Sequence, residues 1–318
     1  MKIGYFGSPD YSLKLLEELY EFHQIQCVVS NPDSPSDRTK ILKPTPVSEF
    51  AIKKKIPLFR PSQWKDQSLI EEIKKLSLDV FIIFSYGKII PKEIIEIPKY
   101  QSLNLHGSLL PNLRGASPLQ TAILYGYKTS GWTLQKVSPK MDEGDILAQK
   151  KFEIYPEETY GELLDRVLPL GIELTLEVLE NLEFYLKNAK KQEEHQATYC
   201  KKITPEITRI HWNSTKEEIH NLVRALNPNP IAKSALKREN QIIENIKIYR
   251  TRIHQFIKNT EVPIGYCITE RINKNNHLYV KTKNDFIEIL ELQFPNKKKI
   301  MAHDCINGNL VKEGDIFL

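Results

Sequence analysis

Asn104 and His106 stand two residues apart in the run Asn104-Leu105-His106-Gly107-Ser108-Leu109-Leu110-Pro111. On an extended strand that spacing turns both side chains to the same face, so one carboxamide and one imidazole converge. Such a pair can donate hydrogen bonds to an oxygen that gains charge during acyl transfer, and the imidazole can also move a proton. A third group is needed before the pair means more than a satisfied structural histidine. Asp142, in Met141-Asp142-Glu143-Gly144-Asp145, offers a carboxylate able to orient the imidazole, although an aspartate there serves equally as a turn residue. Metal chemistry is not expected: Cys27, Cys200, Cys267 and Cys305 lie far apart and form no C-x-x-C pair.

These residues need a scaffold that brings strand ends together. The first half alternates short apolar runs with helical patterns, which predicts an α/β domain with a mostly parallel sheet. Residues 2–6, 26–30, 80–84, 102–106, 131–137 and 146–154 read as strands, and the continuous apolar run at 80–84 as a central one. Open α/β sheets gather ligands at the carboxyl ends of their strands, where the segment 102–106 places Asn104 and His106. Ser8 as N-cap and Pro9 as first helical residue open a helix whose buried stripe is Leu13, Leu15, Leu16 and Leu19. Ser117 and Pro118 open another. A long helix is expected over 159–187, kinked or broken at Pro169. Residues 188–197 are polar without apolar period and read as a linker. Beyond it, a helix over 216–225 ends at Asn227-Pro228-Asn229-Pro230. Alternating segments at 242–249, 265–271, 278–282 and 286–292 then suit a small antiparallel barrel, of which the OB-fold is one kind.

With 318 residues the chain is long enough for two domains, and its 41% hydrophobic and 27% charged residues exclude an integral membrane protein and disfavour wholesale disorder. No secretory h-region, Arg-rich leader or long apolar run is present, so a cytoplasmic protein is expected. The net charge of +5 is unevenly spread. Residues 1–189 hold 23 basic and 25 acidic side chains, whereas residues 190–318 hold 22 and 15. A basic second part suits a polyanionic partner or a solvated lysine-rich surface. Lys297-Lys298-Lys299 is one such cationic cluster.

The strings NLHGSLLPNLRGASPLQTAI, KIGYFGSPDYS, NPDSPSDRTKILKPTPV and MDEGDIL closely resemble the methionyl-tRNA formyltransferases of the folate-dependent formyltransferase superfamily, and ITPEITRIHW, VRALNPNP and NGNLVKEGDIF extend the similarity along nearly the whole chain. The resemblance implies a Rossmann-like catalytic domain over 1–187, a linker over 188–206 and an OB-like tRNA-binding domain over 207–318. It implies transfer of a formyl group from 10-formyltetrahydrofolate to the α-amine of methionyl initiator tRNA, by a monomer without metal. Asn104, His106 and Asp142 would be the catalytic trio: Asn104 and His106 steady the tetrahedral oxyanion, and Asp142 holds the imidazole and favours its charged form. One of these groups, or a water between them, takes a proton from the amine and returns one to the folate nitrogen. Ser108, Leu109, Leu110 and Pro111 would border the folate. Arg38, Lys40 and Lys43, in the loop after the second strand, would enter the acceptor stem. Asn112-Leu113 replaces a frequent aromatic-basic pair, and Asn229 a frequent aromatic. A sugar-nucleotide N-formyltransferase would share the trio without needing the basic loop or basic barrel. A non-catalytic tRNA-binding module would not need the trio at all.

Overall fold

Val80–Phe84 is buried at every position, as a continuous run of β-branched and aromatic side chains requires of a strand covered on both faces. The computed structural model describes residues 1–35, 41–253, 261–273 and 275–318, and sets this strand at the centre of a seven-stranded sheet. The order is Ile146–Glu153, Thr129–Lys136, Ser102–His106, Val80–Phe84, Lys2–Gly7, Gln24–Val29 and Leu58–Phe59. From Ser102–His106 to Leu58–Phe59 all neighbours run parallel, and Thr129–Lys136 runs antiparallel to Ser102–His106. The two-residue edge strand Leu58–Phe59 is too short to leave a pattern in the sequence. Phe6, Phe81 and Tyr86 pack edge to face beneath the sheet with Ile70, Ile73 and Ile94.

Two local expectations are corrected. The first helix is Asp10–Phe22 with Pro9, not Ser8, at its N-cap. The Ser8 hydroxyl instead accepts hydrogen bonds from the backbone N–H and side-chain amide of Asn31, tying two strand ends together. The long helix runs unbroken through Pro169 from Tyr160 to Glu180, and the interruption falls at Asn181, before Leu182–Lys187.

The chain divides into two compact units: Met1–Pro118, Gly131–Phe152 and Val167–Lys201 form one, and Leu119–Ser130, Glu153–Arg166 and Lys202–Leu318 the other. The second unit has an antiparallel sheet in the order Cys267–Ile272, Asn275–Lys281, Phe286–Gln293, Gln241–Ile253, Ala232–Arg238 and Ile316–Phe317. Trp212, Ile219, Val223, Ile246, Ile248, Leu292 and Phe317 fill its core. The helix Lys216–Ala225 opens on a capping box, in which Thr215 accepts from Glu218 N–H while the Glu218 carboxylate accepts from Thr215 N–H. Among the described residues no helix is long and apolar enough to cross a membrane.

Candidate active site

The carboxyl end of Ser102–His106 carries the site. Asn104 is paired with Gln135 and His106 with Thr133 on the antiparallel neighbour. Residues directly opposite in a sheet share a face, so the Gln135 amide emerges beside that of Asn104. Asp142 meets them from the loop after Thr129–Lys136. Its Oδ1 accepts from Asn104 Nδ2 at 3.3 Å and from Gln135 Nε2 at 2.8 Å. Its Oδ2 accepts from Gly115 N–H at 2.9 Å and lies 3.6 Å from His106 Nδ1. The structure therefore brings Asn104, His106 and Asp142 together.

His106 is buried and its Nε2 lies 2.9 Å from the Leu113 carbonyl. A carbonyl oxygen only accepts, so that nitrogen carries hydrogen and the ring orientation is fixed. Both ring nitrogens thus face acceptors, one a carbonyl and one a carboxylate. Leu113 and Asp142 both lie at positive φ, +55° in each case. Side chains other than glycine adopt that conformation at a cost, so other contacts must hold these two residues.

Those contacts come from residues 192–200, which begin inside the segment 188–197 that the composition marks as a linker. Thr198 accepts from Leu113 N–H through its hydroxyl at 2.9 Å and from Arg114 N–H through its carbonyl at 2.8 Å, and its own N–H donates to the Pro111 carbonyl at 3.2 Å. Tyr199–Cys200 pairs in parallel with Arg114–Gly115. A Cβ on Gly115 would fall 2.2 Å from the Cys200 carbonyl oxygen, so only glycine allows that approach. The Arg114 side chain, 1% exposed, donates to Gln192 and Glu194. Gln135, Arg114, Gln192 and Thr198 were not legible as site residues. Only the strand pairing and the docked segment bring them there.

The remaining sequence-derived residues fall as follows. Ser108 is buried, with its hydroxyl on the Asn112 carbonyl and its own carbonyl on the Thr133 hydroxyl. Leu110 is buried, its N–H donating to Thr133 Oγ1 and its carbonyl accepting from Gln149. Leu109 and Pro111 are half-buried. Lys43 is exposed on the two-residue strand Leu42–Lys43, which pairs with Ser34–Pro35. Arg38 and Lys40 lie outside the described residues.

Known proteins share this architecture and sequence. Residues 1–179 match the formyl transferase family and residues 202–310 the formyl transferase C-terminal domain. A methionyl-tRNA formyltransferase of Leptospira interrogans is 39% identical over all of both chains, and one of Fusobacterium nucleatum is 37% identical over 99% of each. Among solved structures, the sugar 3N-formyl transferase WlaRD, determined in the presence of dTDP and 5-N-formyl-THF, superposes with a TM-score of 0.61 at 23% identity, over 94% of this chain and 99% of its own. HypX from Aquifex aeolicus, in complex with tetrahydrofolic acid, gives 0.63 at 19% identity, over 98% of this chain and 47% of its own. The two solved structures share the fold. Full-length identity to curated relatives and both domain matches lead to one conclusion: the chain belongs to the formyl transferase family, among its methionyl-tRNA formyltransferases.

Proposed function

We propose that the chain transfers the formyl group of 10-formyltetrahydrofolate to the α-amino group of methionyl initiator tRNA, with Asn104, His106 and Asp142 as the catalytic residues. The convergence of those three side chains at one strand end carries this reading. In the reaction the amine nitrogen bonds to the formyl carbon and the carbonyl oxygen becomes an oxyanion. The carbon–nitrogen bond to the folate then breaks. Asn104 supplies an amide donor to that oxygen in place of its long 3.3 Å contact with Asp142. His106 supplies an N–H in exchange for its contact with the Leu113 carbonyl, and Asp142 steadies the ring from the Nδ1 side. The proton lost by the amine passes to the His106–Asp142 pair, and one returns to the departing folate nitrogen.

The folate brings the formyl carbon. Leu109 and Pro111 offer it apolar surface, and the hydrogen-bonded hydroxyl and carbonyl of Ser108 and N–H and carbonyl of Leu110 keep that loop in shape. Leu109 itself lies over Gly131, where a Cβ would stand 2.3 Å from its Cδ2. Residues 1–187 form the catalytic domain in this reading, 188–206 the connection and 207–318 an OB-like tRNA-binding domain. Backbone bonds between the ends of the second sheet, Cys267 N–H to the Asp315 carbonyl and Phe317 N–H to the Gly265 carbonyl, support a closed barrel. Arg38, Lys40 and Lys43 are assigned to the acceptor stem.

Arg38→Ala tests the acceptor. It is expected to lower kcat/KM for initiator tRNA by about 1 to 3 kcal/mol, the range for a base-reading contact, with an unchanged Kd for the folate. Lys40→Ala and Lys43→Ala should do less and flatten the salt dependence. Full activity of the triple variant would remove the loop from tRNA recognition and bring the sugar-nucleotide reading to the front.

A further inference from the structure

Gln192 has no part in the chemistry above, yet it is half-buried in a run whose neighbours Lys191, Glu193, Glu194, His195 and Gln196 are all exposed. Its Nε2 donates to the backbone carbonyls of Asp142 at 2.8 Å and Gly144 at 2.7 Å. Its Oε1 accepts from Arg114 Nε at 3.1 Å. A carboxamide has two hydrogens and one good acceptor, so this single side chain is fully used, and only one orientation of the amide satisfies all three partners.

The turn it grips is closed on its other side by the sheet. A Cβ on Gly144 would fall 1.7 Å from the Lys136 carbonyl oxygen, and Lys136 N–H donates to the Asp145 carbonyl at 2.9 Å. Asp142 sits within this turn at φ +55°, the left-handed conformation that aspartate tolerates in turns. Gln135 reaches the Asp142 carboxylate and also lies 3.3 Å from Gln192 Nε2. From this arrangement we infer that Gln192 is a positioning residue, whose two donors hold the Asp142 turn so that the carboxylate faces Asn104 and His106. The inference rests on the reading of Asp142 as catalytic. Arg114, anchored by Glu194, keeps the Gln192 amide from turning over.

The test uses Gln192→Ala and Gln192→Glu in the full chain. The glutamate keeps the length and an oxygen for Arg114 and loses both donors. Both variants are expected to lower kcat about 10- to 100-fold, the scale of a small misplacement of a catalytic group, with KM for methionyl-tRNA and Kd for 5-formyltetrahydrofolate within about threefold of the parent. In an Asp142→Asn background the same substitutions should lower kcat by less than about threefold, because their effect runs through that carboxylate. Unchanged kcat, an equally large fall in the Asp142→Asn background, or unfolding of both variants at the assay temperature would each overturn the proposal. Wild-type kcat in Asp142→Asn alone would instead remove the reading beneath it, and that single variant shows it without any change at Gln192.

Discussion

Asn104 and His106 are readable from sequence because a two-residue step on a strand fixes a shared face whatever the rest of the chain does. Asp142 is legible only as a candidate, since the spacing of 36 residues from His106 says nothing about distance in space. What the sequence hides is the set of groups that satisfy this carboxylate. Gly115 N–H is a backbone donor with no side-chain signature, and Gln135 reaches Asp142 through a strand register set by tertiary pairing. At this scale, Asn104→Ala and His106→Ala are each expected to lower kcat by about two to three orders of magnitude, as loss of an oxyanion donor does. Single-turnover formyl transfer reads the effect, and a near-normal rate in either variant would take that residue out of the mechanism.

Elements are legible where pattern and length are strong. The run Val80–Phe84 announces a central strand, and the segment 216–225 announces a helix. The segment 188–197 misleads, because its polarity reads as a linker while Gln192 within it, and Thr198 and Tyr199–Cys200 just after it, brace the loops carrying Leu113 and Asp142 through hydrogen bonds that need no apolar period. No break falls at Pro169, which lies inside the helix Tyr160–Glu180. The helix Lys216–Ala225 yields a pH prediction. His220 is buried, with Nε2 3.0 Å from the Pro156 carbonyl and Nδ1 3.0 Å from Thr251 Oγ1. Burial pushes its pKa below the ordinary 6.5, against the opposing pull of the Pro156 carbonyl and Glu157. The unfolded chain then takes up a proton that the folded one refuses, so stability falls as pH drops through about 6.5. The thermal midpoint should fall from about pH 7.5 to about 5.5, and fall less in His220→Gln, which keeps a donor and an acceptor. An equal fall in both proteins would mean that other groups set the pH response.

Over the whole molecule, charge separates what composition alone blends: residues 190–318 carry 22 basic against 15 acidic side chains, while residues 1–189 are close to balanced. That asymmetry is legible in the sequence and suits a partner rich in phosphate. The division into two compact units is only partly legible, because Leu119–Ser130 and Glu153–Arg166 pack with the C-terminal part although they lie early in the chain. No composition shift marks either segment. The most direct test of the account is the initial rate of formyl transfer from 10-formyltetrahydrofolate to methionyl initiator tRNA, set beside the rate to an amino-sugar nucleotide under the same conditions. The account predicts rapid formylation of the tRNA, weakening steeply as salt rises, with little transfer to the sugar. Preferred formylation of the amino sugar, or formylation of the tRNA that is indifferent to salt and to alanine at Asn104 and His106, would contradict it.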